Sequence, residues 1–268
     1  MDAEIITGEA VFVLAGFPAN SIDLTVTSPP YDNLRAYRGY NFDFAALAQQ
    51  LFRVTKPGGV VVWVVADATV DGSETGTSFR QALYFRDVCG FNLHDTMIYR
   101  QLGTGAKGSN LSYWQTFEFM FVLSKGRPKT VSRLRDKPNK QAGRRASTGA
   151  KQAAVGTRQY AQGGRVVAEY GIRENVWEYL SGNNGDDITA HPAPFPEKLA
   201  RDHILSWSAE GDLVLDPLCG SGTTGKQAVL LNRRFVGVDI AAEYCAIAAQ
   251  RIQSITGGLR DRLREVVG

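Results

Sequence analysis

Residues 212–228 read DLVLDPLCGSGTTGKQA: a short apolar run that stops at an acid, then a glycine-rich turn, then the start of a helical pattern. No other stretch limits the possible folds as much. A glycine turn between strand and helix presents backbone N–H groups at a helix N-terminus, and open α/β sheets bind their ligands at the carboxyl ends of strands. The surrounding chain has the matching rhythm. Strands are expected at Ile22–Thr27, Gly59–Asp67, Asn92–Arg100, Phe117–Leu123, Leu213–Asp216 and Phe235–Asp239. Helical patterns fall at Phe42–Thr55, Thr77–Val88, Pro196–Ser206, Ser221–Leu231 and Ala241–Ser254. Such alternation predicts an α/β fold with a mostly parallel sheet and helices on both faces. VVVWVVAD (Val60 to Asp67) is apolar on both faces, as a central parallel strand should be, and the KPGG before it reads as a helix stop and turn.

Between the two halves of this pattern the composition changes. Residues 125–173 carry 13 Lys and Arg against only Asp136 and Glu169, which leaves 17 basic and 25 acidic residues elsewhere. A net charge of +3 therefore hides a localised positive segment, and a localised polyanionic partner is expected for it. The predicted organisation is 1–124 as one half of the α/β domain, 125–185 as a basic insert and 186–268 as the second half. The polar loop Gly103–Ser112 is too long for a tight connection and reads as a lid. Cys89, Cys219 and Cys245 form no CxxC pair, and the three histidines lack ligand spacing, so neither disulfide nor metal is expected. No 18-residue apolar run and no basic-then-apolar leader is present, so the expectation is a cytoplasmic protein with no membrane contact. Trp63, Trp114 and Trp207 are assigned to the core.

The turn admits more than one ligand. Gly220, Gly225 and Lys226 satisfy GxxxxGK, which would make it a phosphate loop of an ATPase. Gln227 then stands where a metal-binding Ser or Thr belongs, and Asp216 would aim a carboxylate at phosphates. A carboxylate at a strand end suits a cofactor with a cationic amino group. The next strand ends in Asp239 (FVGVDI), placed to accept from ribose hydroxyls. Asp216 and Asp239 together describe an adenosyl amino acid, S-adenosylmethionine. A structural turn that binds nothing is the third alternative.

A second feature stands at another strand end. Ile22–Thr27 runs into Ser28-Pro29-Pro30-Tyr31, an elbow stiffened by two prolines. Its carbonyls and the Ser28 hydroxyl can accept hydrogen bonds. The Ser28 oxygen and the Pro29 carbonyl would hold the two N–H bonds of an exocyclic amino group and aim its lone pair at a methyl sulfonium, while Tyr31 stacks on the base. A plain proline turn is the bland alternative. Asp67 either orients this elbow or is a solvated turn acid.

SPPY, a basic insert, HPAPFPEKLARDHI (His191 to Ile204), DPLCGSGTT (Asp216 to Thr224) and GVDI, in that order, resemble the β-class DNA amino-methyltransferases. The resemblance implies a Rossmann-like S-adenosylmethionine-dependent methyltransferase fold with an inserted target-recognition region. It makes Ser28, Pro29, Pro30 and Tyr31 the catalytic elbow. It places Asp216, Pro217, Gly220, Ser221, Gly222 and Thr223 in the cofactor loop, with Leu218 where the family has Phe, Asp239 at the ribose and Ile240 among the cofactor-binding residues. Phe195 and Lys198 would flank the methionine portion, His191 would make either a cofactor-side contact or a purely structural hydrogen bond, and Glu9, in Gly8-Glu9 where the family has Gly-Asp, would lie near the adenine amino group.

The implied partner is double-stranded DNA, and relatives of this class are often homodimers. Lys125, Arg127, Lys129, Arg133, Arg135, Lys137 and Lys140 are expected on DNA. So are Arg144, Arg145, Lys151 and Arg158 of the insert, and Lys107 and Asn110 of the lid. The expected activity is methyl transfer to the amino group of a flipped base in nucleoid DNA. SPPY leans to cytosine N4, but SPPYDNLRAY, GSETGTSFRQALYF and NLHDTMIY are similar to solitary bacterial and phage enzymes, which shifts the choice to adenine N6. An ATPase and a catalytically idle DNA-binding regulator are the readings from other classes.

Overall fold

The computed structural model describes residues 2–30, 42–103, 113–145, 148–152, 158–161, 166–180 and 196–267. In chain order the elements are β1 (Ala3–Thr7), α1 (Ala10–Ala15), β2 (Ile22–Thr27), α2 (Phe44–Val54), β3 (Thr55–Val65), β4 (Thr69–Val70) and β5 (Ser73–Glu74). Next come α3 (Thr77–Tyr84) with a π turn Phe85–Cys89, β6 (Asn92–Leu102), β7 (Phe117–Ser124), β8 (Lys137–Pro138), β9 (Thr148–Gln152), β10 (Arg158–Ala161) and β11 (Tyr170–Gly171). The chain closes with β12 (Val176–Leu180), α4 (Glu197–Trp207), β13 (Leu213–Asp216), α5 (Thr223–Leu230), β14 (Arg234–Asp239) and α6 (Ala242–Val267).

Eight strands form one sheet in the order β1-β14-β13-β2-β3-β7-β6-β12. Neighbours run parallel except on the two sides of β7, which is antiparallel to both β3 and β6. Seven strands therefore end on one rim, the carboxyl rim, and β7 starts there. The central run Val60–Val65 is buried on both faces, the burial its sequence demands. On one face α1, α2 and α3 cover a cluster that includes Leu14, Leu47, Leu51, Val61, Trp63, Phe85 and Phe121. Helices α4, α5 and α6 pack on one another and on β2, β13, β14 and β1. None of their residues belongs to that cluster, so they cover the opposite face.

The expected strands and helices all form, with ends displaced by a few residues. The KPGG segment belongs to β3: pairing with β2 jumps from Ile22↔Thr55 to Leu24↔Val60, so Lys56–Gly59 bulge out, with Gly58 at φ 80°. Helix α6 runs to Val267 rather than Ser254. Two sheet strands, β1 and β12, were not anticipated.

The chain divides into two compact units, residues 1–132 with 175–268, and residues 133–174. The first holds the whole sheet. The second contains the antiparallel pairings β8 with β11 and β9 with β10, and an ion pair between Arg173 and Asp136. It is narrower than the 125–185 read from composition. Residues 125–132 continue from β7, and β12 buries Trp177 and Tyr179 in the sheet unit because its alternate side chains are apolar. No helix of the described residues is long and apolar enough to cross a membrane.

Candidate active site

Because β13 lies between β14 and β2, the glycine turn after Asp216 emerges with Asp239 on one side and the Ser28–Pro30 elbow on the other. The two segments are also joined by side chains. Asp216 Oδ1 accepts from the Thr27 hydroxyl at 2.7 Å and the Leu218 N–H at 3.2 Å, and Oδ2 accepts from the Thr224 hydroxyl at 2.8 Å. Thr224 Oγ1 also lies 3.3 Å from the Val26 carbonyl. One carboxylate thus ties the residue before the elbow to the first turn of α5. It is fully enclosed, and burial pushes its pKa up to about 6 against the pull of the three donors. The side chain expected to meet a cationic amino group faces the protein interior instead: both of its oxygens are already engaged there.

Asp239 is half-buried, and its two oxygens accept from Gly220 N–H and Ala241 N–H, both at 2.9 Å. These bonds fold the turn against the end of β14 and leave Ile240 exposed at the rim. The turn needs its glycines. Gly220 and Gly222 have φ of 47° and 80°, and a Cβ on Gly222 would stand 2.7 Å from the Ala248 Cβ. Gly222 caps α5 without a side-chain bond, so the first N–H groups of the helix have no side chain as their cap. Pro217 follows β13 directly, and Ser221 and Thr223 are buried. On the far side Gly8 N–H donates to the Asp239 carbonyl at 2.9 Å, which brings Gly8-Glu9 to this edge. The Glu9 carboxylate, expected at an adenine, instead caps α1 by accepting from Val11 and Phe12 N–H at 3.0 and 2.8 Å.

A network under the turn escaped sequence reading. Glu197, in the first turn of α4, accepts from Lys226 at 2.8 Å, Arg251 at 3.0 Å and Gln227 at 3.0 Å, and Arg251 donates to the Ser221 carbonyl at 2.7 Å. Three helices are thereby fastened to the turn's backbone. The acid following Pro196 at a helix start was the available signal. The network also tells against the phosphate-loop reading, because the lysine of GxxxxGK is paired with a glutamate.

At the elbow Pro29 is buried, and Ser28 and Pro30 are half-buried. Tyr31 lies outside the described residues, as do His191, Phe195, Lys107, Asn110 and lid residues 104–112; Lys198 is exposed on α4. Asp67 does neither of the things expected of it. It is buried and accepts from Ser78 N–H at 2.8 Å and Ser78 Oγ at 2.5 Å, fixing the start of α3. Trp63 and Trp207 are buried as expected, but Trp114 is exposed, since it precedes β7 on the rim rather than facing a helix.

The basic residues separate by position. Lys125, at the far end of β7, donates to the carbonyls of Phe52 at 2.7 Å and Thr55 at 2.9 Å and to Asn20 Oδ1 at 2.9 Å. It caps the carboxyl end of α2, burial lowers its pKa, and it stands on the rim opposite the turn, so it is a structural cation rather than a DNA contact. Arg127 and Lys129 follow it; Lys129 N–H donates to the Gly58 carbonyl, which keeps them on that same opposite rim. Within residues 133–174, Arg133, Arg135, Lys140, Arg144 and Arg145 are exposed, and Lys137 pairs with Glu174. The side chains of Lys151 and Arg158 lie outside the described ones.

Residues 22–250 match the model of the N6/N4 methyltransferase family, described as DNA methylase. The chain belongs to this DNA methylase family. The orphan methyltransferase M.BamHII of Bacillus amyloliquefaciens is 52% identical to this methylase over 239 residues, covering 87% of this chain and 89% of that protein. The PvuII DNA methyltransferase, described as cytosine-N4-specific, superposes with a TM-score of 0.69 at 22% identity over 94% of this chain and 86% of that one. A Thermus thermophilus protein solved in complex with S-adenosyl-L-methionine superposes with a TM-score of 0.63 at 24% identity, covering 93% of each chain. At these identities the two superpositions establish the fold. For a DNA methylase, cofactor and target base must meet, and neighbouring strands roughly 5 Å apart bring the turn and the elbow together.

Proposed function

We propose that this methylase transfers the methyl group of S-adenosylmethionine to the exocyclic amino group of a base flipped out of duplex DNA, with adenine N6 as the target. The observation that carries the reading is the Thr27–Asp216–Thr224 bridge, which holds the proline elbow and the glycine turn side by side on the carboxyl rim. S-adenosylmethionine, when bound, supplies an electrophilic methyl group on a sulfonium.

The residues around it fit that group. Asp239 is left half-exposed for the ribose hydroxyls, and exposed Ile240 gives an apolar face for the adenine. The Gly220 and Gly222 N–H groups are engaged by Asp239 and the Cys219 carbonyl, and the N–H groups of Ser221 and of Thr223 at the start of α5 are those offered to the amino acid carboxylate. At the elbow the Ser28 hydroxyl oxygen and the Pro29 carbonyl accept the two N–H bonds of the target amino group. That turns its lone pair away from the ring and toward the methyl. Ser28 and Pro29 would hold the nitrogen facing the methyl that the sulfonium would supply, and the proton that the nitrogen loses would pass along the Ser28 hydroxyl to solvent. No strong base is needed, since the nitrogen becomes acidic only as the methyl arrives. Residues 133–174 carry ten Lys and Arg against three acids and hold the DNA backbone, in a cytoplasmic setting.

The test is to incubate the protein with methyl-tritiated S-adenosylmethionine and unmethylated plasmid, digest the DNA and separate the nucleosides. Label in 6-methyladenine is expected. Label in 4-methylcytosine alone overturns the choice of base, and unlabelled DNA overturns methyl transfer and favours a regulator that only binds.

A further inference from the structure

The methylase has four tryptophans, and three are built into the core: Trp63, Trp177 and Trp207 are 0%, 5% and 9% exposed. Trp114 is 65% exposed, and Tyr113 beside it is fully exposed. Their place in the sheet gives these rings meaning. β7 is the one strand of the eight-stranded sheet that begins on the carboxyl rim, and the segment leading into it is pinned there at two points. Thr116 accepts from Gln101 N–H at 2.7 Å near the end of β6, and the Gln115 side chain reaches the Asp67 carbonyl at 3.5 Å just past the end of β3. In the sheet order only β3 separates β7 from β2, which carries the elbow. Two strand spacings are roughly 10 Å, within the roughly 12 Å width of a major groove, so a duplex that delivers a base to Ser28–Pro30 must pass over this segment.

We infer that Trp114, with Tyr113 next to it, is a DNA-contacting aromatic that stacks on the bases left exposed when the target base leaves the helix. The inference rests on the methyltransferase reading above and deepens it. Extruding a base costs stacking and pairing energy, and it opens an apolar gap between its neighbours. Large rings inserted at base steps compensate in other proteins that deform DNA, and a base stacked on an aromatic side chain contributes substantially to binding. The neighbouring ring Phe119 contacts Phe79 at 5.2 Å and Phe117 at 5.3 Å, leaving Tyr113 and Trp114 as the most exposed of these five aromatic groups.

Trp114 is the solvent-exposed fluorophore, so the inference has a direct optical readout. Titrating the protein with a duplex containing its site should quench tryptophan emission, and Trp114→Phe should abolish the quench. Trp114→Ala should raise the Kd for the duplex about tenfold, with Trp114→Phe recovering most of the loss. On a duplex whose target base is mismatched the Trp114→Ala deficit in kcat/KM should shrink to under about threefold, because unpairing is already done. Calorimetric affinity for S-adenosylmethionine should not change. The inference is overturned if DNA leaves wild-type emission unaltered while methyl transfer proceeds, or if Trp114→Ala binds and methylates matched duplex as wild type does. A loss of S-adenosylmethionine binding in Trp114→Ala also overturns it, marking the ring as structural. If wild type transfers no methyl to DNA at all, the methyltransferase reading falls and this inference falls with it.

Discussion

Asp216→Asn separates the two roles that a carboxylate at this strand end can have. Its pKa of about 6 lies above the ordinary 3.8 because the group is fully enclosed and its hydrogen bonds do not offset the loss of water. Well below pH 3.8 the side chain is neutral in both the folded and the unfolded chain, and no burial cost applies. Between about pH 4 and 6 the unfolded chain gives up its proton while the folded one keeps it, so stability falls as pH rises. Above the folded pKa the deficit is constant. The gap between 3.8 and about 6 is worth roughly 3 kcal/mol. Asn has the same shape and no charge to bury. Its oxygen can accept from Thr27 and Leu218, and its NH2 can donate to Thr224, whose hydroxyl already has the Val26 carbonyl at 3.3 Å as a second acceptor. Urea unfolding of both proteins from pH 4 to pH 8 reads the difference, since all other carboxylates cancel. Relative to wild type, Asp216→Asn should gain about 2 kcal/mol between pH 4 and pH 7, since part of the full effect is already present at pH 4. A difference constant to within about 1 kcal/mol, or one of opposite slope, would refute the reasoning and mean that the donors hold the carboxylate charged at little cost.

Other perturbations test separate parts of the molecule. Thr25 Oγ1 is the buried side-chain oxygen that has no hydrogen-bond partner among the described residues, so the isosteric Thr25→Val should stabilise by about 1–2 kcal/mol in the same unfolding assay. Gly222→Ala forces a Cβ to 2.7 Å from that of Ala248 at a φ of 80°, and should cost roughly 2–4 kcal/mol while weakening calorimetric binding of S-adenosylmethionine. Lys125→Ala removes the cation that caps α2 and should cost about 1 kcal/mol without altering the salt dependence of DNA affinity. The Arg144→Ala/Arg145→Ala pair should leave stability alone and lower that salt slope by roughly 2.

What could be read from sequence was local, and what could not was a matter of neighbours. The strand ending in Asp216, its glycine turn and the second acid at Asp239 sit within one continuous stretch, and each residue type constrains the next. SPPY was legible for the same reason: two prolines restrict the backbone wherever they stand. The inward orientation of Asp216 was not legible, because its partner Thr27 is 189 residues away. Glu197 and Arg251 are 54 apart, so their hold on Ser221 follows only from the packing of α4 on α5 and α6. Charge counting put Lys125 with the other basic residues, but strand direction decides the rim, and β7 carries it away from the turn. The same reversal brings Trp114 onto the turn's rim and out of the core. Strands β1 (AEIIT) and β12 (VWEYL) are five residues each and neither alternates polar with apolar along its length, too weak a signal beside the longer runs. Glu9 carries the clearest lesson about motifs: the position resembles a cofactor contact, and the side chain is held by the N–H groups of the next helix.

The most direct test of a shared rim for turn and elbow is ultraviolet crosslinking of methyl-tritiated S-adenosylmethionine to the intact protein, followed by peptide mapping. Label is expected in the peptide containing Ser28–Tyr31, with Asp239→Ala reducing it. Label confined to the basic residues 133–174, or to peptides of the opposite rim around Lys125, would contradict the arrangement of the site.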